Sequence, residues 1–156
     1  MDWAMINITD YANLGADIEV LTFAAEKLGI DGVNLVVIKN DNILDKFESD
    51  RWFVNGLMHK TPVPNTYELI LRSNPQDPLQ LILCHEMIHL GQFVRGELTL
   101  DMDKKVFTWK GKKYTSATEY KSRPWEALAF NGQAGLLRAF RKSKKKPRKC
   151  IFKKSK

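Results

Sequence analysis

The sequence predicts an α+β fold in a single domain over residues 1–140, followed by a basic tail over residues 141–156. Three observations predict it. The chain has 156 residues, 44% apolar and 10% aromatic, which suits one domain with a real core. Its apolar positions switch along the chain between a helical period and short β-branched or alternating runs. Residues 141–156 hold ten Lys or Arg and no acid, leaving 15 basic against 18 acidic side chains elsewhere. The body is therefore −3 and the tail +10, so the net +7 describes the tail and not the fold.

Residues 15–28 place Ile18, Leu21, Ala24, Ala25 and Leu28 at helical spacing and stop at Gly29. Val33 to Ile38 is a β-branched run that reads as a buried strand. Residues 41–65 alternate weakly around Gly56, Pro62 and Pro64, and a strand or two with a loop is expected. Tyr67 to Arg72 alternates, as a half-exposed strand does. Asp77 and Pro78 then offer an N-cap and a first-turn proline to the apolar helix LQLILCHEMIHLGQFVR, which ends near Gly96. Leu98–Asp101, Val106–Trp109 and Tyr114–Thr115, separated by DMDKK and KGK, predict a small hairpin or meander. Pro124 opens a last helix, PWEALAFNGQAGLLRAF, and the lysine-rich stretch from Arg141 reads as disordered.

Whole function classes drop out. No run of 18 apolar residues exists, which excludes a transmembrane helix and with it a membrane partner. Asp2, Asp10, Asp17, Glu19 and Glu26 crowd the start without a basic segment, so no signal peptide is expected. Cys84 lies in the apolar helix and Cys150 in the tail, an unsuitable pair for a disulfide, which points to a reducing, cytoplasmic compartment. A monomer is expected.

Positions 85–89 read His-Glu-Met-Ile-His. On a helix, residues four apart lie on one face one turn apart, so the two imidazoles can bind one zinc ion. Glu86 falls about 100° further round, beside the metal, where it can take a proton from an activated water. The helix is otherwise apolar, and three ionisable groups there would be costly to bury without a role.

A catalytic zinc takes three protein ligands and keeps one position open. The metzincin extension would put a glycine at 92 and a histidine at 95, where this chain has Gln92 and Arg95, so that class is excluded. No histidine follows His89, and His59 lies upstream in an expected loop. A downstream carboxylate is required. Glu97 is too near the end of the same helix, Asp101 and Asp103 sit in a polar turn, and Glu119 is in a loop. Glu126 alone lies on a second helix among Trp125, Leu128 and Phe130, and it is the expected third ligand.

H-E-x-x-H followed by a glutamate on a later helix resembles the gluzincin branch of the zincin metallopeptidases. Trp109-Lys-Gly-Lys-Lys-Tyr114 and Tyr120-Lys-Ser-Arg-Pro-Trp-Glu126-Ala-Leu-Ala129 are similar to small phage and bacterial metallopeptidases, which often read Pro-aromatic-Glu-x-Glu-Ala here; this chain has Leu128 at the second acid. The resemblance covers about residues 66–140. In size the chain also resembles the SprT-like DNA-associated proteases, whose third histidine it lacks. The resemblance implies a minimal zincin: a small twisted sheet, an edge strand before the H-E-x-x-H helix, a hairpin and a helix bearing the last ligand. It further implies that an extended peptide pairs with that edge strand, expected at Tyr67, Glu68, Leu69, Ile70 and Leu71. Zincins commonly add a hydroxyl or imidazole for the oxyanion, and Tyr114 and Tyr120 are the candidates, with packing in the core the alternative role for either. Cys84, Met87 and Ile88 are expected in the core, and Arg123 either orients Glu126 or is a solvated residue at the helix start.

The tail, through Lys142, Lys144, Lys145, Lys146, Arg148 and Lys149, is dense enough for weak, salt-sensitive, non-specific attraction to nucleic acid, and Phe152 offers a stacking ring. The expectation is a zinc-dependent protease acting on a protein or peptide substrate. The alternatives are a nucleic-acid-tethered protease cutting DNA-bound proteins, or a catalytically silent zinc-binding module.

Overall fold

Strand β1 (Ile6–Asp10) alternates Ile6 and Ile8 with Asn7 and Thr9, burying one face only partly. The computed structural model describes residues 6–115 and 117–154, with side chains described as far as Lys145. Asp10 accepts from the backbone N–H groups of Ala12 (2.8 Å) and Leu14 (2.7 Å), turning the chain into a 3₁₀ turn (Gly15–Asp17) and helix α1 (Ile18–Leu28). Gly29 ends α1 in the left-handed region at φ 70°, where a side chain would be strained. The chain crosses back into β2 (Val33–Lys39), parallel to β1. Helix α2 (Asp41–Asp45), capped by the Asn40 side chain on the Ile43 N–H, then leads to β3 (Gly56–Lys60) and β4 (Thr66–Leu71).

The four strands lie in the order β1-β2-β4-β3, with β4 parallel to β2 and antiparallel to β3. Tyr67–Leu71 therefore does not form an edge strand. Its backbone groups are used on both sides, and the outer position falls to β3. Burial agrees: Leu69 and Ile70, on opposite faces of β4, are both fully buried.

Helix α3 (Leu79–Val94) packs on β3, α1 and the last helix, so it has no solvent face in its middle; Leu83, Met87 and Leu90 are fully buried. Its N-cap is Pro78, without a side-chain cap, and the expected cap Asp77 instead accepts from Asn55 Nδ2 at 2.8 Å. After α3 come β5 (Leu98–Asp101), β6 (Val106–Trp109) and β7 (Lys112–Tyr114), an antiparallel sheet of their own. A 3₁₀ turn (Tyr120–Ser122) leads to α4 (Pro124–Lys154). The fully buried Trp125 in its first turn meets the rings of Phe107 (5.0 Å), Trp109 (6.4 Å) and Tyr114 (5.0 Å), fixing the second sheet to α4.

Where disorder was expected after Arg141, the helix continues to Lys154. Lys and Arg are good helix formers, and extending an existing helix avoids the cost of nucleation. Arg141 reaches Gln80 at 3.4 Å, Lys144 pairs with Glu19, and Phe140 packs edge-on against Phe23 at 5.5 Å, so the first tail residues lie against the body. Lys142 and Lys145 are not buried; the side chains of Lys146, Arg148, Lys149 and Phe152 lie outside the described residues, as does the thiol of Cys150. Among the described residues, no helix is long and apolar enough to cross a membrane.

A candidate metal centre between two helices

The four-residue spacing on α3 turns His85 and His89 the same way, and their Nε2 atoms lie 3.1 Å apart. Helix α4 packs across α3 and brings Glu126 between them. Its Oε1 is 3.0 Å from His85 Nε2 and 2.8 Å from His89 Nε2. Around a tetrahedral zinc ion with bonds of about 2.05 Å, donor atoms stand about 3.3 Å apart. The observed triangle of 2.8, 3.0 and 3.1 Å matches that spacing to a few tenths of an ångström, so the donor set fits such an ion. The other downstream acids lie elsewhere; Glu119 pairs with Arg51 at the surface, 3.0 Å away.

Glu86 is 5% exposed, and one of its carboxylate oxygens, Oε1, has no hydrogen-bond partner in the structure. An unpaired buried oxygen on a carboxylate costs a few kcal/mol, so a group held that way has a reason beyond packing. Burial pushes its pKa up, opposed by the two histidines and by the Met58 backbone N–H. Gly56 lies against it: a Cβ there would come within 3.2 Å of Ile70 O and 3.5 Å of Glu86 Cγ, so only glycine fits without a shift.

The cluster is tightly coupled. Burial alone would depress His89, but the Glu126 carboxylate overrides it and holds His89 up at about 9, and His85 is raised in the same way. Glu126 feels the same burial upward, yet the two histidines bring it well below the usual carboxylate range.

Of the two tyrosines, the structure brings in one. Tyr120 OH donates to Glu126 Oε1 at 2.7 Å and lies 3.3 Å from His85 Nε2. Burial, and then the Glu126 charge, push its pKa far up, so it keeps its proton. Tyr114 is not at the site; its ring packs edge-on against Trp125 as part of the β7 wall. Arg123 is buried, donates to Thr118 O at 3.2 Å, and stacks over Trp52, Phe107 and Tyr120, so it is not the solvated residue that was one of its two expected roles. Cys84 and Met87 are core, as expected, while Ile88 is half-buried; burial lifts the Cys84 thiol to about 11.

The cluster opens on a cavity of about 230 Å³. One wall is β3, through Gly56, Leu57 and Met58; others come from Trp52, Phe53 and Val54, and from Phe130 on α4. The 41–54 segment is held by Arg72, which was not singled out in the sequence. Its guanidinium is buried at the end of β4 and bonds Asp45 (2.6 Å), Glu48 (3.0 Å) and Val54 O (2.9 Å). Two further residues carried no signal in the sequence: Gln133 Oε1 lies 2.6 Å from His85 Nδ1, and Gln92 Oε1 lies 2.7 Å from His89 Nδ1.

No protein-family model, curated protein or solved structure matches the chain.

Proposed function

We propose that this protein is a zinc-dependent peptidase in which His85, His89 and Glu126 hold the metal and Glu86 is the general base. One observation carries the reading: three donor atoms converge beside an unpaired, buried Glu86 oxygen, in a cavity walled by the outermost strand of a sheet. Bound there, zinc would supply Lewis acidity toward a carbonyl oxygen and toward water. Glu86 accepts the proton of the attacking water and passes it to the departing nitrogen, a task suited by a carboxyl pushed up by burial. Tyr120, which stays protonated, donates its hydroxyl hydrogen to the oxyanion. An extended peptide pairs with β3, which takes the part expected of β4 because β3 lies at the edge. The free, buried Cys84 supports a reducing compartment such as the cytoplasm.

The test is zinc content combined with digestion of a peptide library by the wild type and Glu86→Gln. The wild type should carry one zinc and cleave, while Glu86→Gln keeps zinc and loses at least about 100-fold in turnover. Zinc without cleavage in the wild type leaves the silent-module reading in its place.

A second reading places the same chemistry on nucleic-acid-bound proteins. It is favoured by the ten basic residues of 141–156, nine of them within α4, beside a body of net −3.

A further inference from the structure

Both histidines have a second nitrogen, and each meets a glutamine. We infer that Gln92 and Gln133 are positioning residues of the metal centre: each fixes one histidine in the tautomer that offers Nε2 to the ion. As neutral amides, they also leave that ion more electrophilic and less tightly held than carboxylates would. The inference rests on the zinc reading above.

Gln92 is 1% exposed, and its environment fixes its orientation. Its Nε2 lies 3.2 Å from the carbonyl oxygen of Trp125, which can only accept, so the NH₂ end faces Trp125. Oε1 then faces His89 Nδ1 at 2.7 Å and, being an acceptor, requires a proton on that nitrogen. A metal-bound imidazole is neutral and has one N–H, so with Nδ1 protonated His89 offers the Nε2 lone pair to the ion, in place of the proton that Nε2 holds when the metal is absent. Gln133 Oε1, 2.6 Å from His85 Nδ1, imposes the same tautomer on His85. The reverse tautomer would put an N–H of His85 into the space where the three donors converge.

Helix geometry explains the spacing. Gln92 follows His85 by seven residues and Gln133 follows Glu126 by seven, which is close to two turns, so each lies on the ligand-bearing face of its helix. His89 is oriented from its own helix, whereas His85 is oriented from α4, so His85 depends on the docking of α3 on α4. Gln92 has an added role: the carbonyl it binds belongs to Trp125, the residue before Glu126, so one amide couples two of the three ligands.

A carboxylate accepting from Nδ1–H would push charge onto the imidazole and strengthen its bond to the metal; an amide does so less. Partners of this kind are worth about 10–100-fold in metal affinity.

The test uses full-length zinc-loaded protein as wild type, Gln92→Leu, Gln133→Leu and Gln133→Glu. Zinc affinity is read by competition with a chromophoric chelator, and the ring tautomers by long-range ¹H–¹⁵N correlation. Wild-type His85 and His89 should both show Nδ1–H with Nε2 metal-bound. Each leucine variant should lose about 10–100-fold in zinc affinity, and Gln133→Glu should keep the His85 tautomer and bind zinc at least as tightly as wild type. Leucine variants with wild-type affinity and unchanged tautomers overturn the inference, as does Nε2–H on either histidine of the wild type, a result that needs no variant to fold. Absence of zinc from the wild type defeats the zinc reading and this inference together. Tight zinc binding that falls in the leucine variants, without peptide cleavage, upholds the inference and defeats only the peptidase reading.

Discussion

Without a bound metal, the fold's stability should fall as pH rises from 6 to 9, by about 3 kcal/mol from His89 alone. In the metal-free cluster His89 is held at about 9, against an ordinary value near 6.5. A histidine raised in the folded state stabilises the fold while protonated. Its contribution is complete below about 6.5 and is lost as pH climbs through about 9. The gap between those values, at about 1.4 kcal/mol per tenfold, gives the 3 kcal/mol. His85, also raised, and Glu86, raised by burial, act in the same direction, while Glu126, held low, is ionised in both states throughout this window. Replacing Glu126 with Gln removes the largest charge that opposes burial at His89, so the slope should become much shallower, with the part due to the burial of Glu86 left. Saturating zinc should reverse it, because the ion needs the lone pairs that the protons occupy. Urea unfolding followed by tryptophan fluorescence, to which the buried Trp109 and Trp125 contribute, at pH 6.0, 7.5 and 9.0 with chelator and with zinc, reads all three cases. Parallel pH profiles for wild type and Glu126→Gln in chelator would refute the reasoning.

Tyr120→Phe should keep zinc and lose about 100-fold in kcat with little change in KM, as measured on a cleaved peptide; an unaltered kcat removes the hydroxyl from the reaction. Gly56→Ala should destabilise the fold by about 1–3 kcal/mol in urea, because the added methyl meets the Ile70 carbonyl and the stem of Glu86. Ending the chain after Lys145 removes six of the ten tail charges while keeping the Arg141 and Lys144 interactions with the body. Peptide cleavage should persist, while retention on duplex DNA weakens and its log–log salt slope becomes shallower by about 0.9 for each phosphate no longer neutralised. Equal binding by the two lengths takes the tail out of nucleic-acid recognition.

His85, Glu86, His89 and Glu126 were legible because their placement is a matter of helix period and apolar context, both local properties of sequence. The positions of β3 and β4 were not. Alternation in Tyr67–Leu71 says which side chains share a face, but hydrogen-bonding neighbours are set by long-range pairing, and the partner β3 lies in the weakly patterned 41–65 segment. Strand β1, with two apolar residues on one face, gave too short a signal to name. Tyr114 and Tyr120 were indistinguishable in sequence because only the turn before α4 carries one into the site and leaves the other against Trp125. Gln92 and Gln133 had no motif to announce them, since an amide becomes informative only when a histidine nitrogen is found against it.

His89 and Glu126 are 37 residues apart, and the whole β5–β7 sheet lies on the chain between them. A metal that joins both ends closes a loop around that sheet, as a covalent crosslink would. It lowers the entropy of every state in which α4 has come away from α3, by an amount that depends on loop length and not on the packing inside it. With such an ion bound, the last sheet and the first turns of α4 would form one unit of local opening. Amide exchange along β6 and the start of α4 would then be a gauge of metal occupancy, and the unit should become open to proteolysis in chelator before the β1–β4 sheet does.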